Sequence, residues 1–228
     1  MTFSIAARCA ESGMFGVAIS SSSPAVAARC AHARAGVGAV CTQNVTDPRL
    51  GPALLDKLAV GQFATEAMAQ VVAGEPLIGW RQLTVVDRWG TTATHSGEGT
   101  LGVHAVAAGP DCVAAGNLLA DAGVPAAMVA AFAGDATAGS AAHLGARLVG
   151  ALRAGLDAGG EAGPVHSAGL LVVREVPWPV ADLRVDWADD PVGDLERLWA
   201  LWAPQLDAYV ARALDPEASP SFGVPGDA

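Results

Sequence analysis

Met1-Thr2-Phe3-Ser4-Ile5-Ala6-Ala7 opens the chain, and the reading of this stretch decides the fold. Thr2, Ser4 and Ala6 alternate with Phe3, Ile5 and Ala7, the period-two pattern of a half-buried strand. Glu11-Ser12-Gly13 then reads as a turn, and an apolar run from Phe15 to Ser20 completes an antiparallel hairpin. Thr at position two is small enough that an initiator Met before it is commonly trimmed. Trimming leaves a hydroxyl and an α-amine on one residue. Such an amine titrates near ~8, so part of it is neutral at pH 7 and serves as base for the adjacent hydroxyl. A strand held in a sheet keeps that residue still, where a chain start is otherwise ragged.

Outward from the hairpin, 228 residues suffice for one domain with a full core, and 52% apolar residues exclude a disordered chain. Aromatics are only 5%, so Ala, Val and Leu packed around Gly must fill the core. A formal charge of −10, with Lys57 the only lysine, argues against nucleic acid as a partner. The opening has neither a basic nor an apolar leader segment, and the apolar stretch Ala122 to Gly134 is too short for a bilayer. The expectation is a cytoplasmic protein with no membrane partner. Cys9, Cys30, Cys41 and Cys112 form no C-x-x-C pair and read as small buried hydrophobes in a reducing compartment.

Taken in order, Ser20 to Pro24 reads as a loop, and Gly36 to Asn44 as a buried strand ending in polar groups. Leu50, Leu54, Leu55 and Leu58 recur at helical spacing, and a second helix runs from about Ala64 to Ala73. Strands follow at Gln82 to Asp87, Thr91 to His95, Val103 to Ala108 and Cys112 to Gly116. Ala122 to Phe132 and Ala141 to Leu156 read as helices, the second stopped by Gly159-Gly160, and His166 to Arg174 returns to strand. Hairpin-linked strands with helix pairs between them give α+β layers and not βαβ units. After Asp189-Asp190-Pro191, the stripe Leu195, Leu198, Trp199, Trp202, Leu206 and Val210 predicts a C-terminal helix. It either covers the core or meets another subunit, and Pro216 to Gly226 reads as extended.

Several motifs carry little chemistry. Gly97-Glu98-Gly99-Thr100-Leu101-Gly102 fits G-x-G-x-x-G, but a strand pattern follows it and Glu98 repels phosphate, so it reads as a turn. His32, His95, His104, His143 and His166 show no metal-binding spacing, so neither metal nor cofactor is expected. Gly139-Ser140 lacks the full nucleophile elbow. Cys30-Ala31-His32 brings thiol and imidazole close in sequence without making them face one another on a helix. His166-Ser167, after a loop that includes Glu161, reads either as the rim of a site or as a capped loop.

Thr2-Phe3-Ser4-Ile5-Ala6-Ala7-Arg8, Gly16-Val17-Ala18-Ile19-Ser20 and Ala35 to Gln43 resemble, in order, a widespread bacterial family. Arg81-Gln82-Leu83, Gly116-Asn117-Leu118-Leu119, Gly159-Gly160, Ser167-Ala168 and Asp182 to Asp186 extend the likeness over about residues 2 to 187. The family is catalogued as domain of unknown function 1028 and placed among the Ntn-hydrolase-like proteins. The resemblance implies a four-layer αββα sandwich of two mostly antiparallel sheets, with a residue like Thr2 as nucleophile. Gly163-Pro164-Val165-His166 departs from the Arg-Gly-x-Gln run common there, which implies a different specificity if that loop touches substrate. Some members carry a C-terminal segment called peptidoglycan-binding-like, and the tail here resembles a short form of it.

The expectation is a domain over residues 1 to 187, with 188 to 228 as a helix and tail packing on it or on a partner subunit of a homo-oligomer. Its function is hydrolysis of a small-molecule amide C–N bond, with Thr2 as nucleophile and Asn117 and Gln43 beside it. Ser20, Asn44, His166 and Ser167 are expected around the substrate, with Arg8, Arg29 and Arg34 to grip a carboxylate. The alternative is a non-catalytic small-molecule binder or oligomeric scaffold whose site has lapsed. A Cys/His hydrolase at Cys30 is a third reading.

Overall fold

A computed structural model describes residues 1 to 134 and 141 to 223, with the side chains of 141 and 142 excepted. Gly139-Ser140 and the last residues of the tail lie outside the described residues. The strands are β1 (Thr2–Arg8), β2 (Phe15–Ser21), β3 (Ala31–Arg34), β4 (Gly38–Asn44), β5 (Arg81–Asp87), β6 (Thr92–Ser96), β7 (Ala105–Gly109), β8 (Cys112–Asn117), β9 (Ser167–Val173) and β10 (Ala181–Val185). They form a six-stranded sheet in the order β10-β9-β2-β1-β8-β7 and a four-stranded sheet β3-β4-β5-β6. Every pairing is antiparallel.

The helices are α1 (Ala27–Cys30), α2 (Leu50–Ala59), α3 (Ala64–Gly74), α4 (Val124–Gly134), α5 (Ala141–Asp157), α6 (Pro191–Trp202) and α7 (Leu206–Leu214). The two sheets stack face to face, α2 and α3 cover the smaller one, and α4 and α5 cover the larger. The protein is a four-layer αββα sandwich with a C-terminal helical extension.

Alternation along β1 explains the layering. Phe3, Ile5 and Ala7 point to the helical side, where they pack with Met128, Leu148 and Leu152. Thr2, Ser4 and Ala6 point between the sheets, where Ala6 joins Phe15, Val17, Ala39, Cys41, Val86, Val113 and Val173. A third core of Leu54, Leu55, Leu58, Met68, Leu83 and Val85 lies under α2 and α3. Small residues dominate the middle layer, so the sheets approach closely despite the shortage of aromatics.

Some boundaries differ from the sequence expectation. Ser21 belongs to β2 and not to the following loop, because Ser21 pairs with Ser167 of β9. β3 and β10 were not expected; both are short edge strands with little continuous burial. Val103 and His104 precede β7 and do not belong to it. The single C-terminal helix is broken at Ala203–Gln205, a 3-10 turn, because Pro204 has no N–H to continue the ladder. α6 packs on α5, β9 and β10; the Trp199 ring lies on Gly145 of α5, and Trp202 Nε1 donates to the Val180 carbonyl at 3.0 Å.

Candidate functional site

The middle layer changes character along its length. From Ala6 toward Arg8 it is apolar, and toward Thr2 it becomes polar: Ser4, Gln43, Gln82 and Asn117 are each at most 1% exposed. Inward positions of four different strands supply these groups, so they meet only when the sheets stack.

The orientation of their amides follows from one backbone carbonyl. Gln82 Nε2 donates to the Gly116 carbonyl at 3.1 Å, a group that can only accept, and to Ser96 Oγ at 3.2 Å. Gln82 Oε1 therefore accepts, from Gln43 Nε2 at 2.8 Å and from Asn117 Nδ2 at 3.1 Å. Gln43 Oε1 is left to accept from the Ser4 hydroxyl at 2.6 Å. Asn117 Oδ1, at the end of the chain, is buried without a partner. Asn117 stands opposite Thr2 in the β1–β8 ladder.

Thr2 itself is 6% exposed, held and not splayed into solvent. Its Oγ1 lies 3.4 Å from Ser21 Oγ, and both hydroxyls contact the Met1 carbonyl oxygen. Ser21 Oγ is fixed in turn by the Ser23 N–H at 3.0 Å. The Met1 side chain reaches toward Gly163, its methyl 3.6 Å from where a side chain there would begin.

Glu161 completes the rim. Its carboxylate is 4% exposed, bridges to Leu119 through the backbone, and accepts the Ser22 N–H at 3.0 and 3.1 Å on its two oxygens. Burial pushes its pKa up to about 7, while the N-terminal ammonium, the Ser22 hydrogen bonds and His166 pull in the opposite direction. His166 is stacked on Trp187 with ring centroids 4.3 Å apart, its backbone N–H donates to the Ser21 carbonyl, and its ring Nδ1 lies 3.2 Å from the Ala188 carbonyl.

The expected residues divide clearly by position. Thr2, Asn117 and Gln43 come together through the ladder and the amide chain, His166 lies beside Ser21 and against Trp187, and Ser167 stands opposite Ser21 in the β2–β9 ladder. Ser167 Oγ donates to the Ser23 carbonyl at 2.6 Å and accepts the Val26 N–H at 3.2 Å, which shapes the serine loop. Ser20 points to the opposite face from Ser21, donating to the Ser167 carbonyl at 3.0 Å. Asn44 ties loops together, donating to the Trp80 carbonyl at 2.7 Å and accepting the Leu101 N–H. Arg29 donates to the Pro24 and Ala25 carbonyls. Arg8 is at the far end of β1, paired with Asp111 at 2.6 Å, and Arg34 pairs with Asp56 at 2.8 Å. Neither reaches Thr2.

The sequence reading passed over Ser21, Gln82 and Ser4, whose inward parity was the available signal, and placed Glu161 only as part of a loop. Cys30 packs with Ile19 and Val26 and contacts Thr46 Oγ1 at 3.5 Å; burial pushes its thiol pKa up, away from a thiolate. His32 packs on Gly51. Burial also pushes the Cys41 thiol up to about 12.

Among the described residues no group of three His, Cys, Asp or Glu side chains is placed to hold a metal ion. No helix there is long and apolar enough to cross a membrane. A cavity of about 590 Å³ between Ala33–Ala35 and Val173–Pro179, and one of about 280 Å³ beside Arg8 and Arg147, do not include Thr2.

Comparison with solved structures finds protein SPO2555 from Silicibacter pomeroyi, itself assigned to DUF1028, at a TM-score of 0.78 and 28% identity over 90% of each chain. Anbu (ancestral beta-subunit) from Yersinia bercovieri aligns over 92% of this chain and 97% of its own, at 9% identity and a TM-score of 0.38. No curated protein matches. The model of the family of unknown function DUF1028 matches residues 2–195, and the chain belongs to that family.

Proposed function

We propose that this protein is a hydrolase of a small-molecule amide C–N bond, that Thr2 is its N-terminal nucleophile once Met1 is removed, and that its sandwich is of the Ntn-hydrolase-like kind. One observation carries the reading. The layer between the sheets turns polar at the Thr2 end and leaves Asn117 Oδ1 buried without a donor. Buried amides and hydroxyls cost stability unless paired, so an apolar end would have served the fold better. An unfilled acceptor opposite Thr2 suits the α-amine that trimming exposes there.

In this mechanism the Thr2 amine takes the Oγ proton, directly or through a water, as Oγ attacks the amide carbon. An O–C bond forms, the C–N bond breaks, and the proton leaves with the departing amine. Water then attacks the ester, releasing the acid and restoring the hydroxyl. Gln43, held between Ser4 and Gln82, fixes the floor of the site, and the second Asn117 N–H is available to the oxyanion.

A second reading, a non-catalytic small-molecule binder or scaffold, is favoured by the cavities beside Val173–Pro179 and Arg8, which lie away from Thr2. Hydrolysis of a panel of N-acyl and N-carbamoyl amino acids and cyclic amides by trimmed protein separates the two. The enzyme reading expects turnover that Thr2→Ala abolishes; saturable binding unchanged by Thr2→Ala, without turnover, favours the binder. The same proposal places the protein in the cytoplasm as a homo-oligomer. Residues 1 to 187 are its catalytic unit and 188 to 228 an appended segment, whose exposed Leu198 and Leu201 suit a subunit contact.

A further inference from the structure

We propose that Ser21 is a further catalytic residue, whose hydroxyl donates to the carbonyl oxygen of the bound acyl group and stabilises the oxyanion as Thr2 Oγ attacks. The inference rests on Thr2 being the nucleophile.

Strand order puts Ser21 where such a donor is needed. β1 lies between β2 and β8, so Thr2 has Asn117 across one ladder and the end of β2 across the other. Ser21 is the last residue of β2, one past the Phe3–Ser20 pair, and is 0% exposed. Its Oγ lies 3.4 Å from Thr2 Oγ1. The nucleophile is thus flanked by a hydroxyl on one side and an amide on the other.

The hydrogen of that hydroxyl decides its role. Ser21 Oγ accepts the Ser23 N–H at 3.0 Å, a local turn that shapes the serine loop. Shaping the turn uses a lone pair and leaves the O–H to donate elsewhere. In the structure it donates to the Met1 carbonyl oxygen. Removing Met1 takes that acceptor away. Thr2 Oγ1, at 3.4 Å, lies beyond the usual O–H···O range, so among the described residues the buried O–H is left without a close acceptor.

The Met1 carbonyl belongs to an acyl group on the Thr2 nitrogen, and the reaction places an acyl group on Oγ of the same residue. Nitrogen and Oγ are joined by a short bridge, so the carbonyl oxygen of the second acyl group falls within reach of the same hydroxyl. Charge building on that oxygen turns the restored hydrogen bond into a charge-assisted one, so the transition state gains more than the bound substrate does. Ser21 keeps its proton throughout; the proton that moves passes from Thr2 Oγ through the Thr2 amine to the departing amine. Pairing with Ser167 and the Ser23 N–H hold the donor in place before substrate arrives, as stabilisation by fixed dipoles requires.

The test compares two probes on full-length chain with Met1 removed, verified by mass. On 4-nitrophenyl butanoate the attacked carbon bears the oxygen that gains charge, and nitrophenol release measures turnover. Phenyl vinyl sulfone is attacked at a carbon bearing no oxygen, and labelling of Thr2 is timed by peptide mass spectrometry. Ser21→Ala is expected to lower kcat/KM for the ester by ~10²-fold, mostly in kcat, and to leave the rate of labelling by the sulfone unchanged. A measurement that needs no variant is the thionoester of the same acid, whose sulfur is a poor acceptor. Wild-type chain is expected to disfavour it, relative to the ester, more strongly than hydroxide in water does. An ester rate unchanged in Ser21→Ala, equal losses with both probes in a variant of native circular dichroism, or discrimination against the thionoester no stronger than that of hydroxide overturns this inference and leaves the nucleophile standing. Neither probe reacting in a way that Thr2→Ala abolishes overturns both.

Discussion

Asn117 faces Thr2 across the β1–β8 ladder with its side-chain oxygen buried and unpartnered. The arrangement is imposed from behind. Gly116 O turns Gln82, Gln82 turns Asn117, and the oxygen has nowhere else to point. A core built only for stability would not end a satisfied amide chain on an orphan acceptor.

Gln82 is the hub of that chain, and Gln82→Leu should show it. The substitution removes the donor to the Gly116 carbonyl and the acceptor of the amide N–H groups of Gln43 and Asn117. We expect a loss of about 3 kcal/mol in urea unfolding, against about 1 kcal/mol for Ser4→Ala at the chain's outer end. Equal effects would mean that the network contributes pairwise and has no hub.

Asp87 anchors the opposite end of β5. One of its oxygens accepts the Ala64 N–H at the start of α3, and the other accepts the N–H groups of Trp89 and Thr91, each at 2.8–2.9 Å. Asp87→Ala strands three backbone donors in a site that is 0% exposed, and should cost about 3 kcal/mol. Asp87→Asn, which keeps one acceptor, should cost less; thermal unfolding of the pair checks this.

Glu161 gives the fold a pH signature. Its pKa rises on folding from an ordinary 4.5 to about 7, so between those values the folded state holds a proton that the unfolded state releases. Its contribution to stability is therefore fully present below the lower value and lost as pH rises through the upper one. Burial drives the shift, against the N-terminal ammonium and His166. Glu161→Gln should gain on the wild type across that window, by on the order of 3 kcal/mol in total, and be parallel to it above. Unfolding curves at matched pH for the two proteins measure the difference.

Gly145 sets how α5 meets α6. A side chain there would enter the Trp199 ring, which is mostly buried. Gly145→Ala should displace the indole, shift tryptophan emission to the red and destabilise by about 2 kcal/mol, despite the better helix propensity of Ala.

The sandwich was legible because β1 alternates, β2 and β4 read as apolar runs beside turn signals, and Leu50, Leu54, Leu55 and Leu58 recur at helical spacing. β3 and β10 escaped because short edge strands, exposed on one side, carry no sustained pattern. Of the candidate site, the sequence pointed to Thr2, Asn117 and Gln43. Ser21 was displaced by Ser20 through a parity of one residue, which a strand read as a loop cannot reveal. Gln82 looked like any strand glutamine until stacking brought it over Gly116, and Glu161 like a turn acid until Ser22 closed over it. Arg8 and Arg34 were set beside the substrate by charge alone, and the strands carry both away from Thr2.

The most direct test of the account is covalent capture. Chain with Met1 removed is treated with an electrophilic amide mimic, and the adduct is located by peptide mass spectrometry. The account predicts one adduct, on Thr2 Oγ, absent in Thr2→Ala and in chain that retains Met1. Labelling elsewhere with Thr2 untouched, or equal labelling of Thr2→Ala, would contradict it.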